Sequence, residues 1–250
     1  MSKATVIAIT KPVKIDFNGT PIGQFDQSKI AQNREMTSDE FIAYAARVSN
    51  PSNQNNHLTA PKLIKYLIKN RHWSPFEMVS ATIEIETTRD IARQILRHRS
   101  FSFQEFSQRY ANPSALGFEY REARFQDTKN RQNSIEEGVS QALVIEWHNK
   151  QNDVMNAASE AYAWATENNI AKEQARVVLP EGMTLSRLYI AGTLRSWTHY
   201  CGLRMMKGTQ KEHRIIAEKC WADLITYFPS MGEYNPTEDP QWEELNKGST

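Results

Sequence analysis

The 250-residue sequence predicts a single α+β domain, with a mixed or antiparallel sheet packed with several helices. Three observations carry this prediction. Apolar and polar residues alternate from Val79 to Thr87, the period of a half-buried strand. Other stretches space their apolar residues as helices do, two of them behind T-x-x-E capping boxes at Thr37/Glu40 and Thr209/Glu212. No internal repeat and no clear linker divides the chain.

Taken in order, Ala4 to Thr10 is a short β-rich run. Residues 17–36 are polar, with several Gly, Asp and Asn, and read as turns and loops. After Thr37, residues Phe41, Ile42, Ala45, Ala46 and Val48 keep helical spacing until Asn50-Pro51 stops them. A polar loop reaches Asn56. A second helix runs from about Pro61 to Lys69, with Leu63, Ile64, Leu67 and Ile68 on one face. HWSPFE, from His72 to Glu77, is a turn around Pro75. The strand follows, and Thr88 caps a helix.

Phe118 to Arg124 reads as another strand, and residues 125–134 as a polar loop. A long helix spans about Ile135 to Asn168, its start weakened by Gly138. Ala171 to Leu179 is a short helix stopped by Pro180. Leu185, Leu188, Tyr189 and Ile190 form an apolar patch of either type. Thr193 caps a helix that Gly202 ends. In the last helix Ile215, Ile216, Cys220 and Leu224 mark the buried face. The domain is thus expected over 1–229, with a loose polar tail over 230–250.

The charged fraction of 24% and hydrophobic fraction of 40% are ordinary for a globular protein. A net charge of +1 argues against a general nucleic-acid binder. Cys201 and Cys220 form no C-x-x-C pair and no zinc pattern, so buried thiols in a reducing compartment are expected. The N-terminus lacks a signal peptide, and no run reaches membrane-spanning length. The expected location is the cytoplasm, with no membrane partner.

Residues 97–110, RHRSFSFQEFSQRY, concentrate three arginines, a histidine, a glutamate and two glutamines. Arginine forks bind phosphate and carboxylate oxygens in pairs, so an anionic ligand is expected here. On a helix, Ile91, Ala92, Ile95 and Leu96 fall on one side, and Arg93, Gln94, Arg97 and His98 on the other. Arg99 would return to the apolar side, so the helix should end near His98. Ser107 as a nucleophile would need a base, for which His98 is the candidate. No glycine-rich phosphate cradle is present, so side-chain arginines must hold any phosphate. A rival reading makes Phe101, Phe103 and Phe106 stacking platforms of an RNA- or nucleotide-binding module.

RHR followed after seven residues by Ser (Arg97, His98, Arg99, Ser107) resembles the signature of the flavin-dependent thymidylate synthases. HWSPFE resembles their upstream H-x-[ST]-P-F-E segment. EQARVVLP (Glu173 to Pro180) resembles the segment that brings a substrate arginine, and LRSWTHYCGLR (Leu194 to Arg204) the C-terminal flavin and substrate segment. The resemblance covers most of residues 37–228. It implies conversion of dUMP to dTMP, with methylenetetrahydrofolate as one-carbon donor and FAD, reduced by NADPH, as hydride source. It also implies a homotetramer with shared active sites. By the same resemblance Gln94, Arg97, Glu105, Phe106, Ser107, Gln108, Arg109, Arg176 and Arg204 contact dUMP. Ser74, Arg97, His98, Arg99, Glu105, Thr193, Arg195 and His199 contact FAD, and His72 lies near the flavin ring. Arg204 stabilises the ionised uracil, and Ser107 reads as a substrate-loop residue first and a nucleophile second. Three positions depart from the family pattern: Thr193 and Gln104 stand where Asn is common, and Gly208 where some members have His.

Overall fold

The alternation around Ile83 and Ile85 sets the architecture. The computed structural model describes residues 2–12, 36–112 and 116–242. In it β1 (Lys3–Ile9), β2 (Ser80–Thr88), β3 (Ser102–Glu105) and β6 (Leu185–Thr193) form an antiparallel sheet in the order β1-β2-β6-β3. Ala81, Ile83, Ile85 and Thr87 of β2 turn inward, and Ser186, Leu188 and Ile190 of β6 lie beside them. The register pairs Ile83 with Ile190 and Ile85 with Leu188. The opposite face carries Glu84, Glu86 and Arg187, and Arg187 grips Glu86 directly across the strand pair. The apolar patch at Leu185–Ile190 is therefore a strand. Its period was masked because Leu185 and Tyr189 sit on the outer face with Arg187.

The first helix, α1 (Ser38–Ala46), opens on the predicted capping box: Thr37 Oγ1 accepts from Glu40 N at 3.2 Å, and Glu40 Oε2 from Thr37 N at 2.8 Å. It ends before Val48, because Arg47 turns its guanidinium onto Asn56 O and Thr59 Oγ1 and ties down the following loop. Helix α2 (Ala60–Lys69) buries Ile64 and Leu67. Helix α3 (Arg89–Ile95) follows β2 directly, and α6 (Leu194–Arg204) follows β6 directly. Helix α7 (Lys211–Tyr227) lies against β1 and α6. Together they enclose a core of Ile42, Ile64, Phe76, Ile83, Ile91, Trp197, Ile216 and Phe228. The Trp197 indole is kept from being an orphan donor by Ala81 O at 3.0 Å. Both cysteines are free and buried in this core, and burial raises their thiol pKa values. Among the described residues no helix is long and apolar enough to cross a membrane.

Several expectations need correction. Phe118 to Arg124 forms only a single bridge, Phe118 to Thr184, because Gln151 satisfies the Arg121 backbone at both N–H (2.7 Å) and C=O (3.0 Å). The expected polar loop holds a small hairpin, β4 (Phe125–Gln126) with β5 (Ser134–Ile135). The long helix α4 (Gln141–Glu167) starts later than Ile135, capped by Ser140. A short helix, α5 (Lys172–Ala175), runs into a 3₁₀ turn at Arg176–Val178. Gly202 does not end α6. It lies inside the helix, where a Cβ would come within 2.6 Å of Pro236 O and Trp242 Nε1. The Thr209/Glu212 box does not form, since Thr209 Oγ1 donates to Leu203 O and Glu212 binds Arg124.

The tail is not loose over 230–242. Three 3₁₀ turns there bury Met231, Pro236 and Trp242, and Tyr234 Oη donates to Asp239 Oδ2 at 2.9 Å. Residues 243–250, and nearly all of the loop expected over 17–36, lie outside the described residues.

Candidate active site

Helix α3 keeps the predicted phase: Ile91, Ala92 and Ile95 are buried, while Arg93 is exposed and Gln94 half-buried. The helix ends at Ile95, sooner than expected. Arg97, His98 and Arg99 therefore occupy the turn that follows, closed by His98 N to Ile95 O at 3.0 Å. Phe101 anchors this turn. Its ring centroid stands 4.5 Å from Trp197 and 5.9 Å from Tyr200, and it covers Gly192 so closely that any Cβ there would overlap it. Phe101 and Phe103 thus pack on the core, which removes them as base-stacking platforms. Arg97 and Arg99 stay exposed, with no ion pair among the described residues.

Arg204, at the end of α6, donates from Nε to His98 Nε2 at 2.9 Å. Tyr200 stands edge-on to the same imidazole, with centroids 4.9 Å apart. Burial, reinforced by Arg204, His199 and Arg97, pushes the His98 pKa down to about 4. The ring is therefore neutral, and its acceptor lone pair is spent on Arg204. This argues against His98 as the base that would activate Ser107. Burial also draws the Arg204 pKa down, yet an arginine stays charged in a protein. Its two terminal nitrogens bond to nothing among the described residues and remain available to a ligand.

Beyond β3 the chain turns. Glu105 Oε1 accepts from Ser186 Oγ at 2.9 Å and faces Arg89 at 3.3 Å. Phe106 N donates to Arg187 O. Ser107 Oγ accepts from Arg109 N at 3.3 Å, the geometry of a turn residue, and no base bonds to it among the described residues. Gln108 is 4% exposed, and its Nε2 has no partner among the described residues. Arg109 pairs with Glu173 at 3.4 Å, and Lys172 Nζ donates to Tyr110 O, so the loop is joined to the segment that carries Arg176.

On the flank, Arg195 binds Glu77 and links α6 to the 3₁₀ turn Ser74–Met78. Thr193 spends its hydroxyl on the helix cap, accepting from Ser196 N at 3.2 Å, and Ser196 Oγ donates to Ser100 O. His199 keeps much of its surface in solvent, its ring 4.9 Å from that of Trp242, and partial desolvation, reinforced by Arg195 and opposed by Asp239, lowers its pKa. His72 and Ser74 are exposed, and no bond among the described residues joins them to the Arg97–Arg99 turn. Contacts thus unite Arg204 with His98, Arg109 with the Arg176 segment, and Arg195 with the Ser74 turn. Sequence reading gave no place to Tyr200, His213, Gln210 and Trp242, which contact His98, Gln94 and His199. The one available signal was a histidine on the apolar face of α7.

The family described as thymidylate synthase complementing protein matches residues 33–230. A probable flavin-dependent thymidylate synthase of Paramecium bursaria Chlorella virus 1 is 44% identical over 230 residues, covering 92% of this chain and 97% of that protein. A flavin-dependent thymidylate synthase of Synechocystis sp. is 44% identical over 226 residues, covering 90% and 95%. The crystal structure of a UMP/dUMP methylase, PolB from Streptomyces cacaoi, bound with 5-Br UMP shares the fold. Its TM-score is 0.71 at 23% identity, covering 95% of this chain and 94% of that one. Matched through most of its length in this way, the chain belongs to the flavin-dependent thymidylate synthase family.

Proposed function

We propose that the protein converts dUMP to dTMP, with methylenetetrahydrofolate as one-carbon donor and FAD, reduced by NADPH, as hydride source. The observation that carries this reading is the cationic turn around His98, where Arg97, Arg99 and the terminal nitrogens of Arg204 keep their donors unspent. Relatives that align with nine-tenths of the chain bear the name of that activity.

The residues present fit two anionic nucleotides. Arg97, Arg109 and Arg176 supply forked donors suited to phosphate oxygens. The buried, unpartnered Gln108 Nε2 lies in the same loop and adds a donor without an internal claim on it. Arg99, Arg195 and His199, with Ser74, are the groups suited to FAD, and Arg195 is tied to the Ser74 turn through Glu77. Bound FAD supplies the hydride that the uracil ring receives.

Arg204 is suited to stabilising the uracil anion left when the N3 proton departs, because His98 fixes its guanidinium before substrate arrives. That anion pushes electron density to C5, which bonds to the one-carbon unit. Overall, dUMP, methylenetetrahydrofolate, NADPH and a proton give dTMP, tetrahydrofolate and NADP⁺. No protein nucleophile is required, and neither buried cysteine is placed to be one. The same reading includes a cytoplasmic homotetramer with shared sites, and the exposed Trp147, Val154 and Trp164 of α4 suit a subunit contact.

Purified protein supplemented with FAD should show a flavin absorption spectrum. It should then couple NADPH oxidation to dTMP formation from dUMP and methylenetetrahydrofolate. Absence of bound flavin, or turnover of UMP in place of dUMP, would overturn this assignment.

A further inference from the structure

Gln94 leaves α3 on the polar face, yet both ends of its amide are already held by the protein. Its Oε1 lies 3.2 Å from His213 Nδ1, and its Nε2 donates to Gln210 Oε1 at 2.8 Å. His213 is fully buried on α7, and its Nε2 lies 3.1 Å from the hydroxyl of Tyr200, buried as well. Gln210 extends the chain, donating from Nε2 to Glu212 Oε2 at 2.9 Å, while Glu212 Oε1 takes Arg124.

For a neutral imidazole only one placement of protons satisfies every link. Glu212, paired with Arg124, accepts. Gln210 must then turn its amide nitrogen to Glu212 and its oxygen to Gln94. Gln94 in turn gives its nitrogen to Gln210 and its oxygen to His213. An amide oxygen cannot donate, so His213 carries its proton on Nδ1, and Nε2 accepts from Tyr200. The imidazole is neutral because burial beside Arg204 and His98 pushes the His213 pKa down to about 3, and its Nδ1–H faces the Gln94 oxygen in either protonation state. A flipped Gln94 amide would set donor against donor at His213 and acceptor against acceptor at Gln210. It would lose both bonds.

We propose that His213 is a positioning residue for the nucleotide: its Nδ1–H fixes the Gln94 amide so that one N–H and one oxygen lone pair stay aimed at bound dUMP. The inference rests on the reading of Gln94 as a dUMP contact. An amide has two donors and two acceptor sites, and the internal chain uses one of each. The remaining pair complements a nucleotide group that both donates and accepts. Neither His213 nor Gln210 touches the substrate in this account; each acts through Gln94.

Calorimetry on the FAD-loaded protein tests this, with dUMP as titrant and FAD content read from the visible spectrum. The set is wild type, Gln94→Ala, His213→Leu and the double variant. His213→Leu should weaken dUMP binding roughly fivefold or more at unchanged FAD content. The double variant should bind no more weakly than Gln94→Ala alone, because both changes remove one function. His213→Gln retains an acceptor for Tyr200 and a donor for Gln94, and should bind dUMP within about twofold of wild type. Should His213→Leu fail to fold, Gln210→Leu cuts the other tether of the same amide and carries the same expectation. Wild-type affinity in the tether variant, additive losses in the double variant, or wild-type affinity in Gln94→Ala overturns the proposal and leaves the assigned activity standing. No dUMP binding by wild type removes both.

Discussion

Acid should unfold this protein earlier than its carboxylates alone would dictate, through two histidines. In the unfolded chain a histidine takes up a proton near pH 6.5. In the fold His98 resists protonation down to about 4 and His213 down to about 3. Between those limits the unfolded state binds more protons. The contribution is therefore complete above about pH 6.5, and shrinks as the pH falls toward the folded values. At about 1.4 kcal/mol per pKa unit, each group costs the fold about 2–3 kcal/mol by roughly pH 4.5, somewhat less for His98, which keeps solvent contact. Set against a typical domain stability of about 5–15 kcal/mol, that loss is decisive. Glu86, Asp127 and Glu136 have lowered pKa values and lose their contributions only as the pH falls through the ordinary carboxylate range and below. Asp39, raised by burial, works in the opposite sense. His199 adds to the histidine window with the same sign. Denaturant midpoints followed by tryptophan fluorescence, from about pH 7.5 down to about pH 4.5, measure the effect. His213→Gln should show a shallower loss than wild type. A flat wild-type profile, or equal slopes for the two proteins, would refute the reasoning.

Ser107→Ala should keep measurable dTMP formation, because its hydroxyl shapes a turn and meets no base among the described residues; complete loss of turnover with dUMP affinity intact would restore the nucleophile. Arg204→Ala should bind FAD yet lose most activity, and near wild-type turnover would remove that guanidinium from the chemistry. Gly202→Ala should destabilise the fold by about 1–3 kcal/mol, since its Cβ meets the Pro236 carbonyl and the Trp242 indole nitrogen at 2.6 Å. An unchanged unfolding midpoint for that variant would mean the 229–242 segment is not seated on α6.

What the sequence disclosed was local. The period of β2, the Thr37 box and the phase of α3 each depend on neighbours a few residues away, and each appears in the fold. The Arg97–Ser107 spacing is local too, which is why it could be read without a structure. What stayed hidden depends on partners far along the chain. Gln94 meets His213 across 119 residues, and Arg204 meets His98 across 106. Gly202 reads as a helix stop in isolation, and becomes a contact point only when residues 229–242 return to cover it. The same return buries Met231 and Trp242, two apolar residues that a polar tail had concealed. Phe118–Arg124 erred in the other direction, because a glutamine side chain took the backbone bonds a strand would have made.

The charges of the site follow from a division between its arginines and its histidines. His98 and His213 are neutral because burial and nearby guanidiniums make a further positive charge costly. Neutrality is what leaves each ring an acceptor nitrogen, His98 accepting from Arg204 and His213 accepting from Tyr200 while its other nitrogen donates to Gln94. Tyr200 supports both, with its ring edge against one and its hydroxyl on the other. Positive charge is thereby left to arginines of two kinds. Arg97 and Arg99 have no counter-ion to give up among the described residues. Arg109 and Arg195 are paired with Glu173 and Glu77, but with more than half of each arginine side chain exposed. Such surface pairs contribute only about 0–1 kcal/mol, whereas a forked contact to phosphate is among the stronger polar interactions. An arriving nucleotide phosphate therefore has little protein structure to displace before it binds.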